Sequence, residues 1–398
     1  MRSRVSRRKF VGGLAAALGY AGFAPGVDAW AQGRAAGQGG PRPMGGRGRT
    51  SLEEYDAFAK LASNENPYGP PDSVMKAMTQ AFKYANRYGY PDGGIVEEIA
   101  AHHGVETDNI MLGAGSGEIL SVVGTTFLKG GKKVVGVEPS YGSVYAHASG
   151  IEADSIRLPL GKDYRQEIQT IIETTNQHKA EVGLVYLCNP NNPTGLIVTK
   201  QEVRQLLDGI PKDMPVLIDE AYHHFVEDPN YATSVPYVLQ GRPVIIARTF
   251  SKIAALAGMR LGYAVAPASL IRKMRPWGTG SVNALVKWGG VAALKDTASQ
   301  ERVKRITVEL RKKTTGELQT LGYSVIPSET NFFMVHIRRE VRPVIEEFRK
   351  KGVLVGRPFP PMTEHLRVSV GTADEMGRFM TAFKEIFPAV KTTTASVG

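Results

Sequence analysis

VGLVYLCNPNNPTG (182–195), VLIDEAY (216–222) and VIIARTFSK (244–252) decide the fold. Each opens on a short apolar run rich in β-branched residues and closes on polar or charged side chains. Runs that are apolar at successive positions suit strands buried on both faces. Similar runs occur at Ile110–Leu112, Lys133–Val137 and Leu261–Ala266. Segments with helical spacing fall between most of them, including Glu118–Leu128, Lys200–Leu207 and Leu270–Met274, and Asp72–Lys83 and Gly93–His102 precede them. The alternation predicts an α/β domain with a mostly parallel central sheet flanked by helices.

The end of the chain follows another pattern. A long helix over Ser299–Leu321 leads to strands at Tyr323–Ile326 and Asn331–Val335, a helix near Val341–Lys351, strands near Val353–Val355 and Leu366–Val370, and a last helix near Asp374–Phe387. That order predicts a smaller α+β C-terminal domain. Two domains also suit 398 residues, too many for one ordinary core. The predicted division is an N-terminal segment over 51–75, a large domain over 76–290 and a small domain over 291–398. The segment from Glu53 to about Pro71 is expected to join the small domain or cross the functional site.

The first fifty residues read as something other than fold. MRSRVSRRKF is basic, Val11–Ala24 is apolar but too short to span a bilayer, and Ala29-Trp30-Ala31 is a small-residue cleavage site. Residues 1–31 are therefore expected to be an export signal, and Ser6-Arg7-Arg8-Lys9-Phe10 looks like its twin-arginine form. Residues 32–50, rich in Gly, Pro and Arg, suit a flexible linker. The expected location is periplasmic, or cytoplasmic where the signal is not used, with no membrane contact after its removal. Nine basic residues against Asp28 lie in these fifty, so most of the net charge of +11 sits outside the body. A mildly basic body with no aromatic-interleaved basic stretch argues against a nucleic-acid partner. Cys188 is the single cysteine, in an apolar run, which excludes a disulfide framework and suits a buried small side chain. The pairs His102-His103 and His223-His224 point to different faces with no further ligand, so no metal site is expected and surface or helix-start histidines are.

In an open α/β sheet, ligands sit at the carboxyl ends of the strands. Four strand ends carry suitable groups. Leu112-Gly113-Ala114-Gly115-Ser116-Gly117-Glu118 runs from a strand through glycines into a helix start, where free N–H groups suit a phosphate. Alone, such a turn needs no ligand. Tyr141, after Glu138-Pro139-Ser140, can stack on a planar ring. Asp219 ends an apolar strand, where a carboxylate is costly unless it faces a cation such as a protonated pyridine nitrogen. It can equally cap the turn that follows. Asn192 and Tyr222 can reach a ring hydroxyl oxygen. Lys252 follows a buried strand beside Thr249 and Ser251 and can condense with an aldehyde, while the hydroxyls and Arg260 can bind a phosphate. A phosphate cradle, a ring stacker, a pyridinium partner, two ring-hydroxyl contacts and a Schiff-base lysine are together the parts that pyridoxal 5′-phosphate (PLP) requires.

These motifs resemble the fold type I PLP-dependent aminotransferases, and within them the histidinol-phosphate aminotransferase family. The resemblance runs from about Lys60 to Phe387 through ASNENPYGP (62–70), YPDGG (90–94), GAGSGE, EPSY, NPNNPTG, DEAY, RTFSK, LAGMRLGY (256–263), NFF (331–333) and LRVSVGT (366–372). It implies that the phosphate lies on Gly115, Ser116, Thr249, Ser251 and Arg260. It implies that Tyr141 stacks on the ring, that Asn192 and Tyr222 meet the ring hydroxyl, that Asp219 meets the ring nitrogen and that Lys252 carries the cofactor. Arg367 matches the arginine that grips the substrate's anionic group, and Arg357 in GRPFPPM is a candidate second contact. Tyr90 looks like the tyrosine lent to a neighbouring subunit, which implies a homodimer. Ala114 and Gly117, IAALAG after the lysine and the GRPFPPM loop depart from the family's usual forms and bear on substrate choice. The implied reaction moves an amino group from histidinol phosphate, or an aromatic or related amino acid, to a 2-oxo acid such as 2-oxoglutarate. The rival readings are a PLP-dependent decarboxylase of the same fold, of the threonine-phosphate type, and an exported binding protein that performs no catalysis.

Overall fold

The computed structural model describes residues 51–388. The expected export signal and linker lie outside the described residues. Seven strands form the central sheet: β2 (Ile110–Gly113), β3 (Lys133–Glu138), β4 (Ser155–Pro159), β5 (Val182–Cys188), β6 (Val216–Asp219), β7 (Val244–Thr249) and β8 (Gly262–Val265), in the order 2-8-7-6-5-3-4. Strands β7, β6, β5, β3 and β4 run parallel, and β8 runs antiparallel to β2 and β7. The reversal of β8 has a consequence for the site. Its start, not its end, lies at the edge where β2 and β7 finish, since Gly262 pairs with both Gly113 and Thr249.

Both faces of the sheet are covered, as the continuous apolar runs require. Val185, Leu187, Val216, Ile218, Val244 and Ile246 pack with helices that include 168–177, 200–209 and 284–295. Leu184, Tyr186, Cys188, Leu217, Ile245 and Ala247 pack on the other face with helices 116–128, 143–150 and 268–274. This period-2 alternation continues past the strand ends. It sends Asp219 and Thr249 to the face where helix 116–128 begins and Glu220 and Arg248 to the opposite face. Edge strand β4 (SIRLP) is half-buried up to an exposed Pro159, and its mixed polarity hides it in the sequence.

The smaller domain holds an antiparallel sheet of β12 (His365–Ser369), β10 (Phe332–His336) and β9 (Val325–Ile326). Helices 297–320, 341–350 and 373–386 pack with it around Phe333, Phe348, Phe379 and Phe383. A third sheet pairs β1 (Ala59–Leu61) in parallel with β11 (Val353–Val355). The N-terminal segment thus joins the small domain and then crosses to the large one, carrying residues 62–70 between them. Among the described residues, no helix is long and apolar enough to cross a membrane.

Candidate active site

The carboxyl edge of the central sheet brings the predicted groups together. At the end of β2 the chain turns through Gly115, φ 81°, into a helix whose first turn has no side-chain cap. A Cβ on Gly115 would stand 2.2 Å from Arg260 Nη2, so only glycine leaves room for the guanidinium against this turn. Arg260 arrives there because β8 runs backwards; its Nη1 donates to the Ala257 carbonyl at 2.9 Å. On the adjacent strand end, Thr249 Oγ1 donates to Ser251 Oγ at 2.9 Å and accepts from the Ser251 N–H at 3.0 Å. Free helix N–H groups, two hydroxyls and a guanidinium at one place form an anion cradle.

Next to the cradle, Asp219 is 2% exposed and accepts from the Ala221 N–H at 3.1 Å. It therefore braces the turn after β6, while the N-cap position of the short helix His223–Phe225 falls to Tyr222. Burial raises its carboxyl to about 7, against the pull of that N–H and of Lys252. Burial lowers the Lys252 ammonium to about 8, with Arg367 adding to the effect and Glu65 and Asp219 opposing it. Lys252 Nζ donates to the Ser63 carbonyl at 3.3 Å and lies 5.6 Å from the centre of the Tyr222 ring. A buried acid and a half-buried amine, each displaced toward neutral pH, are what an acid–base site needs.

The Tyr222 hydroxyl accepts from Asn192 Nδ2 at 3.3 Å and from Asn64 Nδ2 at 3.1 Å. Asn64, within ASNENPYGP, is a site residue that the sequence does not single out. Its signal was an asparagine in a loop; it adopts φ 55°, a backbone that Asn tolerates better than most residues. Asn331 Nδ2 holds the Asn64 carbonyl at 3.0 Å, and Ser369 Oγ donates to Asn64 Oδ1 at 2.9 Å, so the small domain positions this contact. Arg367 extends from β12 into the same pocket, donating to Asn192 Oδ1 at 2.7 Å and to the Ala62 carbonyl at 2.6 Å. Its buried Nε has no partner, which leaves a donor for an incoming anion. Tyr141 is half-buried beside this group; the Tyr186 hydroxyl holds its carbonyl at 3.0 Å, and Ser140 Oγ reaches Asn191 Oδ1 at 2.8 Å.

Arg357 lies at the rim of this group and Tyr90 apart from it. Arg357 is exposed, its guanidinium 4.3 Å from the Phe359 ring that Arg367 approaches at 4.8 Å from its own side chain. Tyr90 donates to the Val282 carbonyl at 3.1 Å, on its own chain. Of the histidine pairs, His102 is exposed and His223 starts a short helix, as the surface or helix-start reading has it, whereas His103 bonds Tyr263 at 2.9 Å and His223 also meets Arg248. Among the described residues, no group of three or more His, Cys, Asp or Glu side chains is placed to hold a metal ion.

The residues present fit PLP: a glycine-built cradle for its phosphate, a buried carboxyl for its ring nitrogen, a phenol and an amide for its hydroxyl and an amine of lowered basicity for its aldehyde. A sheet of this order with these groups on its carboxyl edge defines the fold type I class of PLP-dependent enzymes. The chain belongs to the Aminotransferase class I and II family, whose profile matches residues 57–383. A histidinol-phosphate aminotransferase of Moorella thermoacetica is 36% identical over 334 residues, covering 82% of this chain and 85% of that protein. Among solved structures, histidinol-phosphate aminotransferase from Sinorhizobium meliloti in complex with pyridoxal-5′-phosphate superposes with a TM-score of 0.77 at 24% identity, over 83% of this chain and 90% of that one. The L-threonine-O-3-phosphate decarboxylase of Porphyromonas gingivalis shares the fold at a TM-score of 0.69 and 20% identity, over 82% and 98% of the two chains. The fold therefore serves both transamination and decarboxylation.

Proposed function

We propose that the protein is a PLP-dependent aminotransferase that takes the amino group of an anionic amino substrate, histidinol phosphate or an aromatic or related L-amino acid, and passes it to a 2-oxo acid such as 2-oxoglutarate in a ping-pong reaction. The observation that carries this reading is the convergence of Lys252, Asp219, Tyr222 and Arg367 on one pocket. When bound, PLP supplies an electron sink for the carbanion formed at the substrate Cα. Lys252 would anchor the cofactor and, with its amine free, would carry the Cα proton as general base. A side chain lowered to about 8 is part-neutral at working pH and suited to that task. Asp219 holds the proton on the ring nitrogen. Tyr222, fixed by Asn64 and Asn192, orients the ring hydroxyl, and Tyr141 stacks on the ring. The Gly115–Ser116 turn, Thr249, Ser251 and Arg260 bind the phosphate. Arg367 binds the substrate anion with its unpartnered Nε, and Arg357 is a second anion contact at the mouth. A guanidinium suits phosphate and carboxylate alike, which leaves both substrate classes open to it.

The proposed assembly is a homodimer in which Tyr90 reaches the neighbouring active site, and the proposed location is the periplasm by the twin-arginine route. Support for the first is the exposed face around Phe82 and Tyr88 beside Tyr90, and for the second the residues Ser6–Phe10 and Ala29–Ala31. The test of function is a half-reaction. Histidinol phosphate is added to the purified PLP-loaded protein without an oxo acid, and the visible band is followed. Bleaching supports the reaction and the substrate. A persistent band that an aromatic amino acid bleaches keeps the reaction and changes the substrate. Carbon dioxide release from a carboxylate-bearing amino acid, with no need for an oxo acid, replaces transamination by decarboxylation.

A further inference from the structure

Directly behind Asp219, the other face of the sheet holds a buried charge pair that the proposed chemistry does not use. Glu220 is 0% exposed and Arg248 3%. Arg248 donates to Glu220 Oε2 through Nε at 3.0 Å and Nη2 at 2.6 Å. The Thr233 hydroxyl donates to the same oxygen at 3.0 Å, and the Ser234 N–H donates to Oε1 at 2.7 Å. Arg248 also reaches Thr233 Oγ1 at 2.8 Å and the His223 ring. Its remaining titratable neighbours are His102, His103, His224, Tyr231 and Tyr263, with Glu98 beside His102 and Lys304 beside His224. Burial first, and then Arg248, pulls all four histidines down, so they stay neutral and Glu220 is the anion that Arg248 serves.

The place of the pair gives it a function. Glu220 follows Asp219, and Arg248 precedes Thr249. Asp219 is in register with Ala247, whose carbonyl accepts the Glu220 N–H at 3.0 Å. Of the titratable groups acting on Asp219, Lys252 favours its charged form and Glu220 opposes it; Cys188 and Tyr186 on β5 face it as a neutral thiol and phenol. An uncompensated Glu220 would raise a carboxyl that burial has already raised, and Asp219 would then take a proton rather than hold one on the ring.

Resting on the reading that this pocket binds PLP, we propose that Arg248 is a positioning residue for the reaction: it cancels the charge of Glu220 and so keeps Asp219 a carboxylate, while clamping the ends of β6 and β7 on which Asp219 and the phosphate-and-lysine loop are carried. Clamping and charge cancellation make different demands, and two substitutions separate them. Arg248→Met and Glu220→Gln both break the pair, but the first leaves Glu220 behind Asp219 with only the Thr233 hydroxyl and Ser234 N–H to favour its charged form, and the second leaves a cation.

The experiment is a pH titration of the visible absorbance of the full-length PLP-loaded protein, with thermal melting of the cofactor-free protein alongside. A ring nitrogen without its proton withdraws less charge from the Lys252–cofactor bond, whose own proton is then held to higher pH. Arg248→Met is expected to raise the midpoint by about one pH unit or more. Glu220→Gln is expected to leave it unchanged or lower it. The double variant Glu220→Leu with Arg248→Met, which removes both charges, is expected to return to within about 0.3 of the wild-type midpoint. Arg248→Lys is the milder variant should Arg248→Met not fold: one ammonium cannot replace the two-pronged contact, so a smaller rise in the same direction is expected. Midpoints that stay at the wild-type value in both Arg248 variants, or that move equally in Arg248→Met and Glu220→Gln in step with melting temperature, overturn the inference while leaving the cofactor reading intact. A wild-type protein with no pH-dependent visible band overturns both.

Discussion

Asp219 with Lys252 and Glu220 with Arg248 are two acid–base pairs whose acids are adjacent in sequence, and the protein treats them in opposite ways. Arg248 and Glu220 meet through two hydrogen bonds, with Thr233 and Ser234 serving the remaining acceptor sites. Burial works against the Arg248 charge, but Glu220 and its neighbours outweigh it and hold the guanidinium firmly charged. Asp219 and Lys252 are instead left without a mutual hydrogen bond of that kind, and burial moves them to about 7 and 8. The pleat creates the difference, since consecutive residues face opposite sides of the sheet. A satisfied pair gives rigidity; an unsatisfied pair gives reactivity and costs stability until a ligand arrives.

Removing Lys252 tests the reactive pair most severely. Lys252→Ala is expected to abolish turnover, since proton transfer alone is worth about 10²–10⁴-fold and the cofactor anchor goes with it. The visible band should vanish as well. Transamination measured at an appreciable rate in this variant would end the assignment of Lys252. The same substitution should not lower the melting temperature of the cofactor-free protein, because it removes a poorly solvated ammonium.

The contrast in stability is the next effect in size. Glu220→Gln, which leaves a buried guanidinium unpaired, is expected to cost about 3–5 kcal/mol in denaturant unfolding of the cofactor-free protein. Asp219→Asn is expected to cost nothing or to stabilise it, while slowing Cα proton abstraction far more than it weakens cofactor binding. A loss of stability in both would show that Asp219 is as structural as its neighbour. The pH dependence carries the same sign. A carboxyl raised from its ordinary value to about 7 on folding makes the folded state bind the extra proton, so stability is full below about pH 4 and falls as pH rises to about 7, by up to about 4 kcal/mol. Lys252, lowered to about 8, adds a loss that grows as pH falls from about 10 to 8. Asp219→Asn should flatten the acid side of this profile, and Lys252→Met the alkaline side.

These contrasts also mark what the sequence could reveal. Strands β5, β6 and β7 were legible because burial on both faces demands continuous apolar runs, and the groups just past them were legible because strand ends are where such sheets bind ligands. Asp219, Lys252, Tyr222 and Asn192 were reached in this way, Arg367 only through the family resemblance, and the structure brings them together. The half-buried strand β4 and the three-residue β1 carry too little periodicity to detect. Asn64 escaped because its role depends on Asn331 and Ser369, some 270 and 305 positions away. The Glu220–Arg248 pair escaped for a related reason: DEAY and RTFSK each display it, yet no local pattern tells that the two side chains meet behind the sheet.

A third contrast sets Arg367 against Arg357. Arg367 is buried with two donors committed to Asn192 and Ala62, so its position is fixed before substrate arrives. Arg367→Lys keeps a charge but loses the fork, and a loss of about 1.5–3 kcal/mol in kcat/KM, roughly 10- to 100-fold, is expected for every anionic substrate. Equal activity in that variant would mean the anion binds elsewhere.

Arg357 should show the smallest effect and the most informative one. Its side chain is exposed at the rim, its Nη1 leans on the Pro358 carbonyl at 3.1 Å, and partial burial already lowers the guanidinium. Arg357→Ala is expected to raise KM about 3- to 5-fold with little change in kcat, the range of an exposed ion pair. That increment should shrink as salt is raised, whereas the Arg367→Lys loss should persist, because screening reaches exposed charges far more than buried ones. The comparison across substrates then decides what the outer arginine is for. A phosphate carries more charge than a carboxylate, so a larger KM increase for histidinol phosphate than for phenylalanine would place Arg357 on the phosphate. Equal increases would reduce it to a general attraction for anions and leave Arg367 to choose the substrate alone.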